Sequence, residues 1–212
     1  MEKQDERYVG VKGLYYRILR VSGGGDFISE LKKYGINVLI DVRSSPYSSY
    51  YTQYDRENLE RLLKASGIYY RNYARQFGAR QEDRKYYVDG VLNFKLFTQS
   101  GQFAEGADKV DAAIKAGYQP ALMCAEKNPA ECHRAIMVGK KLSDEQHDVL
   151  HIIPGGELKS QAEVGNELLN LYFPDRDQYS LFVPDDRDEQ ELIEEAYAKQ
   201  NLKIGFKLED LR

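Results

Sequence analysis

Short apolar runs alternate with helix-like patterns along this chain, and this alternation most narrows the folds it can adopt. Residues 37–42 form a nearly continuous apolar run, which is typical of a strand buried on both faces of a parallel sheet. The pattern predicts an α/β fold: a three-layer α/β/α arrangement with a mainly parallel sheet of about five strands. The other predicted strands cover 15–21, 68–73, 119–124 and 149–153, and the predicted helices cover 27–34, 55–66, 94–98, 102–116, 129–143, 160–171 and 189–200.

The length of 212 residues suits one α/β domain with a short addition. We expect the domain to span residues 1–183. From residue 184 onward, nine acidic residues face five basic ones, which predicts an acidic C-terminal helical appendage over 184–212. Residues 77–93 are expected to form a long loop, a feature that is usually functional or poorly ordered in a compact domain.

Several classes of protein are disfavoured by composition. Two cysteines do not make a disulfide framework, and the charged N-terminus carries no visible signal peptide. No apolar run approaches the roughly 20 residues of a membrane span, so we expect a cytoplasmic protein without membrane contact. The glycines at 23–25 lack the spacing of nucleotide-binding motifs. Cys124, Cys132 and His133 have no regular zinc spacing and no clear fourth ligand, so we expect neither a metal nor a cofactor.

Ligands of open α/β sheets bind beyond the carboxyl ends of the strands. The predicted strands place four segments at that edge, covering 22–24, 41–46, 77–80 and 124–129. Asp41 ends a buried strand, where an ionised carboxylate needs a partner, and Arg43 would point to the same side. Asp41 could therefore act in catalysis with Arg43 and Ser44 binding an anion, or Asp41 and Arg43 could form a structural ion pair.

The segment from Cys124 to Arg134 is the most informative. Asn128 and Pro129 form a good helix start, whose free N–H groups and dipole would favour a bound anion. Arg134 adds a fork-shaped guanidinium for phosphate or carboxylate. Glu126 precedes that start as an acid, and His133 could transfer protons or only orient a neighbour.

The two thiols have open roles. Cys124 ends a strand near a helix start, where it could be a nucleophile or a buried, inert residue. Cys132 falls in phase with Ile136 and Gly139, so we interpret it as a small buried residue.

Tyrosine is abundant, and its distribution is uneven. Nine of the 17 tyrosines, Tyr47 among them, lie between Arg43 and Tyr87, in a stretch of net charge +4 within a chain of net charge −4. Arginine with aromatic residues is typical of grooves for single-stranded nucleic acid. The alternative is ordinary packing, with each ring inside and its hydroxyl in water.

These motifs resemble the bacterial and archaeal family catalogued as domain of unknown function 488. The resemblance rests on Asp-Val-Arg-Ser-x-Pro at 41–46, Phe-Gly-x-Arg at 77–80, and Cys-Ala-Glu-x-x-Pro-x-x-Cys-His-Arg at 124–134, and it covers residues 14–175. It implies a small cytoplasmic α/β domain with these residues at its site, and no named activity. Two turns depart from the usual family pattern, at residues 20–22 and at 77–79.

The sequence thus favours an enzyme that acts by acid–base chemistry on an anionic, phosphate-bearing substrate, such as a nucleic acid or nucleotide. The alternatives are a non-catalytic module that binds such ligands, and a thiol enzyme that uses Cys124. The candidate catalytic residues are Asp41, Glu126, His133 and Cys124, and the candidate anion-binding residues are Arg43, Ser44, Arg80, Asn128, Arg134 and Tyr47.

Overall fold

The fold is described here from a computed structural model, which covers residues 14–18, 24–176 and 187–211. Residues 19–21, the end of the first predicted strand, and Ser22 and Gly23 of the glycine-rich segment lie outside the described residues, whereas Gly24 and Gly25 begin a helix. The strands in chain order are β1 Leu14–Ile18, β2 Val38–Asp41, β3 Tyr69–Asn72, β4 Tyr87–Val88, β5 Val91–Leu92, β6 Pro120–Cys124, β7 Val149–Ile152 and β8 Leu158–Ser160.

Six of these strands form one sheet in the order β3-β2-β6-β1-β7-β8. β2 pairs in parallel with β3 and β6, and β1 pairs in parallel with β6 and β7. The prediction of an α/β fold is therefore confirmed. The sequence indicated about five strands; the sixth, β8, runs antiparallel to β7 and is only three residues long, too short for a periodic signal.

Helices connect the strands and begin at capping residues. Ser100 accepts a hydrogen bond from the N–H of Phe103, and Ser160 forms a capping box with Glu163. The helices are α1 Gly24–Lys33, α2 Arg56–Ala65, α3 Ala74–Phe77, α4 Phe94–Phe97, α5 Gly101–Lys115, α6 Lys140–Asp144, α7 Gln161–Tyr172 and α8 Glu189–Ile204.

The strands β2 and β6 are buried along their whole length, and their side chains alternate between two faces. Leu39, Ala121 and Met123 join a hydrophobic cluster that includes Phe27 of α1 and Leu59 of α2. We call this side the α1–α2 face. The other cluster contains Ile40, Leu122 and Cys124 with residues of α7 and α8, and we call its side the α7–α8 face.

The segment 77–93, expected to be a loop, contains a small hairpin. β4 and β5 pair antiparallel around Asp89 and Gly90, which have positive φ angles of 49° and 78°. An Asp-Gly pair with positive φ at both residues is the usual two-residue hairpin turn. The segment is therefore ordered by its own short sheet.

The acidic C-terminal segment is tied to the rest of the chain through α8. Ala196 and Tyr197 belong to the cluster on the α7–α8 face. Asn201 accepts a hydrogen bond from the N–H of Phe94 and donates one to the carbonyl of Leu92, each 2.8 Å long. The segment 187–211 thus packs against the sheet and the hairpin. None of the helices in the described ranges has the length and apolar character of a membrane span.

Candidate functional site

Two cysteines, a glutamate and a histidine meet at the carboxyl end of β6. The side-chain sulfur, oxygen and nitrogen atoms of Cys124, Glu126, Cys132 and His133 all lie within 4.8 Å of one another. Cys124, Cys132 and His133 are buried, whereas Glu126 is largely exposed. We call these four residues the thiol cluster.

Both thiols donate a hydrogen bond to the same carboxylate oxygen of Glu126. Oε2 of Glu126 lies 2.7 Å from Sγ of Cys124 and 3.1 Å from Sγ of Cys132, so both thiols donate to it. The Sγ of Cys124 also lies 3.5 Å from Nδ1 of His133. The cluster therefore links two thiols, a carboxylate and an imidazole in direct contact.

The environment acts differently on the acids of the cluster. Although Glu126 is exposed as a residue, its carboxyl group lies against the two buried thiols. This local burial raises the pKa of Glu126, and the charge of His133 with the two thiol hydrogen bonds lowers it by more, so the net pKa is below the ordinary value. Burial raises the pKa of the Cys132 thiol well above its ordinary value. The thiol of Cys132 therefore stays protonated at neutral pH in the metal-free protein.

A break in the helix brings Cys132 and His133 into the cluster. The sequence predicted one helix over 129–143, but Pro129–Glu131 is a single 3₁₀ turn and Cys132 is extended, with φ −115° and ψ 126°. A π-helix, Arg134–Gly139, then leads into α6. In a continuous helix, neighbouring residues would point about 100° apart. The extended Cys132 removes that constraint.

The same break changes the expected anion site at Asn128. The side chain of Asn128 accepts a hydrogen bond of 3.1 Å from the N–H of Ala130. The turn that it caps is only three residues long, so no aligned helix dipole starts there. Arg134, the predicted anion ligand in this segment, is fully buried within the π-helix.

Asp41 and Arg43 form a closed ion pair at the end of β2. The guanidinium group of Arg43 donates two hydrogen bonds to the carboxylate of Asp41, of 2.9 and 2.7 Å, and a third of 2.9 Å to the carbonyl of Tyr54. The hydroxyl of Tyr70 donates to the same carboxylate over 2.9 Å. Burial and the charge of Asp41 raise the pKa of Tyr70, which keeps its hydroxyl a donor.

The ion pair and the thiol cluster point to opposite faces of the sheet. Asp41 pairs with Met123 in the β2–β6 register, one position after the pair of Ile40 and Leu122. Ile40, Leu122 and Cys124 lie on the α7–α8 face. Asp41 therefore points to the α1–α2 face, where Tyr54 and Tyr70 also lie. The structure brings Cys124, Glu126 and His133 together but places Asp41 and Arg43 apart from them.

Ser44 and Arg80 join the loops that follow β2 and α3. The N–H of Arg80 donates a 3.0 Å hydrogen bond to Oγ of Ser44. The side chain of Arg80 is exposed, and its guanidinium lies 5.0 Å from the ring centre of Phe206. Arg80 is thus the most accessible of the predicted anion-binding arginines.

Gly78 allows this close approach of the two loops. A methyl group there would lie 2.3 Å from the carbonyl oxygen of Ala74 and 2.9 Å from Oγ of Ser44. Gly78→Ala is therefore expected to lower the free energy of unfolding by about 1 to 3 kcal/mol in urea titrations, as overpacking does. At Gly101 a methyl group would meet nothing within 4 Å, so Gly101→Ala is the matched control and should not destabilise the fold. Equal stability of the two variants would contradict this role for Gly78.

The tyrosine-rich stretch divides between core and surface. Tyr54 and Tyr70 are buried on the α1–α2 face. Tyr47 and Tyr50 are 56% and 90% exposed, and the hydroxyl of Tyr47 donates a 2.9 Å hydrogen bond to Glu57. Packing accounts for part of the tyrosine content, and the exposed rings are the part that packing leaves unexplained.

The comparisons with known proteins identify the family. The family model described as domain of unknown function DUF488 matches residues 25–140, more than half of the chain. The chain belongs to this family. No curated protein and no solved structure matches the chain. Within DUF488, the matched segment contains the ion pair, the Gly78 loop contact and the whole thiol cluster.

Two residues of this DUF488 site were missed by sequence reasoning. Cys132 is buried, as its phase with Ile136 indicated, but it also contributes a thiol to the cluster. The sequence did offer one signal for this role of Cys132. Cys132 is adjacent to His133 and lies a few residues after Glu126, and three metal-ligating residue types so close in sequence suggest a shared site. Tyr70 holds Asp41, and only the β2–β3 pairing places it there.

Proposed function

We propose that this protein is an enzyme that acts on an anionic substrate, with its chemistry at the thiol cluster. One observation carries the proposal: Cys124, Glu126, Cys132 and His133 converge at the end of a central strand. Nucleophilic, acid–base and metal-ligating groups seldom cluster at one place in a fold where they contribute only to packing. The position beyond a parallel strand is also where ligands bind in α/β sheets.

Phosphate is the anion that we propose for the substrate. The stretch 43–87 carries a net charge of +4, and Arg80 exposes its guanidinium group in the loop after α3. Guanidinium groups bind phosphate oxygens with two parallel hydrogen bonds. A nucleotide or nucleic acid would supply both phosphate and a base, which the exposed rings of Tyr47 and Tyr50 could stack upon.

The test compares two glutamates of the same loop. Glu126→Gln keeps the shape of the side chain but removes its charge and its ability to carry a proton. We expect it to lower turnover of phosphate monoesters, nucleotides or single-stranded oligonucleotides by about 100-fold or more. Glu131 is exposed and lies outside the cluster, so Glu131→Gln is the control and should keep full turnover.

The result can also contradict the proposal. Equal turnover in the two variants would remove Glu126 from the reaction. Salt-dependent oligonucleotide binding without turnover of any phosphate-bearing substrate would instead favour a non-catalytic module, which the exposed Tyr47 and Tyr50 support as the second candidate function.

Two further parts of the proposal concern architecture and location. The clusters on the α1–α2 and α7–α8 faces support a three-layer α/β/α arrangement, which would leave the strand ends as the open site. Cys124 and Cys132 are free thiols, which fits a reducing compartment such as the cytoplasm.

A further inference from the structure

We infer that Cys124, Glu126, Cys132 and His133 bind one divalent transition-metal ion, and that Zn²⁺ matches the site best. The donor set of two sulfurs, one imidazole nitrogen and one carboxylate oxygen is that of a four-coordinate zinc site. The hard carboxylate oxygen disfavours Cu(I), and the two sulfurs disfavour Mg²⁺ and Ca²⁺. The inference does not depend on the proposed catalytic activity.

The distances fit a tetrahedral ion after a small adjustment. With bonds of about 2.3 Å to sulfur and about 2.0 Å to nitrogen, tetrahedral ligands lie about 3.5 Å apart. Sγ of Cys124 lies 3.5 Å from Nδ1 of His133, and all four ligand atoms lie within 4.8 Å of one another. The sulfur–oxygen distances of 2.7 and 3.1 Å are shorter than this, so Glu126 must move outward by less than about 1 Å.

Burial assigns different roles to the four ligands. Cys124, Cys132 and His133 are buried, so their positions are fixed by the strand end and by the break before the π-helix. Glu126 is the exposed member, and it is free to make the outward adjustment. It is also the ligand that water or a substrate anion could replace, as catalytic zinc sites require of one position.

The charge around the cluster favours this occupancy. Two thiolates and a carboxylate carry three negative charges, which a divalent cation reduces to one. Two thiols that share one carboxylate oxygen at 2.7 and 3.1 Å are crowded, and a cation between these groups would separate them.

The test measures metal binding by the full-length protein. After chelator treatment, the protein is titrated with ZnCl₂ against a competing chromophoric chelator, and with CoCl₂ as an optical probe. We expect one equivalent of Zn²⁺, and sulfur-to-cobalt charge-transfer bands from Co²⁺. Cys132→Ser and His133→Asn should each lower the zinc affinity by more than the 10- to 100-fold typical of outer-sphere changes.

Matched controls separate the cluster from other metal-binding side chains. His147→Asn changes the histidine that pairs with Asp111, and Glu131→Gln changes the exposed glutamate of the same loop. Both variants should keep the wild-type zinc affinity. Since a serine at position 132 could affect folding, thiol alkylation of the wild-type protein gives a second measurement: Zn²⁺ should slow the reaction of both cysteines, and chelator should restore it.

Three outcomes would overturn the inference. They are no zinc binding with alkylation rates independent of Zn²⁺, zinc binding that Cys132→Ser leaves unchanged, and a metal-free protein in which Cys124 and Cys132 form a disulfide. Turnover that chelator does not affect would overturn a catalytic metal while leaving the proposed enzyme intact. Zinc binding without turnover of any substrate would support the metal site and contradict the proposed enzyme. Each proposal can therefore fail without the other.

Discussion

Replacing Arg43 with methionine is expected to lower the free energy of unfolding by about 3 to 5 kcal/mol, because the buried carboxylate of Asp41 then has no positively charged partner. The carboxylate of Asp41 is fully buried and accepts two hydrogen bonds from that guanidinium, with a third from the backbone N–H of Arg43. Methionine fills a similar volume but offers no donor. Only the hydroxyl of Tyr70 and the backbone N–H would remain to hold the carboxylate.

Urea unfolding at pH 7 measures this effect. The control is Lys85→Met, which removes an ion pair of 2.6 Å to Asp83 that is exposed on both sides. That pair is expected to contribute little to stability, because water and salt screen both of its charges. The double variant Asp41→Asn with Arg43→Met should recover part of the loss, because no buried ion remains. If Arg43→Met costs no more than the control, the pair does not stabilise the fold.

Acid is expected to weaken the fold through His151, with the second-largest effect. Burial, the charge of Arg134 and, to a smaller extent, the charge of Lys159 lower the pKa of His151 from 6.5 to about 3. The hydrogen bond to Gln161 opposes this shift only in part. The unfolded chain therefore binds more protons than the folded chain between pH 6.5 and 3. The contribution is fully present above pH 6.5 and is lost as the pH falls through that window.

Each pH unit within the window costs up to about 1.4 kcal/mol, which amounts to roughly 2 to 3 kcal/mol at pH 4.5. His151→Gln removes the titrating group and should flatten the decline in urea stability between pH 7 and 4.5. His147→Gln changes a partly exposed histidine beside Asp111 and should keep the decline caused by His151. Equal slopes in both variants would show that other groups govern acid stability.

The hydrophobic pattern was sufficient to predict five of the six strands of the main sheet but not the site that they form. The apolar run at 37–42 could be interpreted as a strand because burial on both faces of a sheet restricts residue types locally. Whether Asp41 and Cys124 share a face depends on the β2–β6 register, which joins positions about 80 residues apart. No local pattern encodes that pairing.

Two other differences have separate causes. The Asp89-Gly90 pair is a known hairpin signal, so the β4–β5 turn could have been read from the sequence. The break at Cys132 could not, since Asn128 and Pro129 are favourable for a helix start in general. There the contacts of the thiol cluster and of α8, whose Gln200 donates to the carbonyl of Ala130, override local preference.

The order of the strands in the sheet limits how the gene can be divided for expression. The segment 25–140, which matches the family model, contains β2, β3 and β6 of the main sheet. It lacks β1, the strand that lies between β6 and β7. A fragment cut at those limits would leave β6 at the margin of a three-stranded sheet, with the hydrogen-bonding groups that pair with β1 open to other molecules. Such a fragment should self-associate, so soluble production requires the flanking segments on both sides.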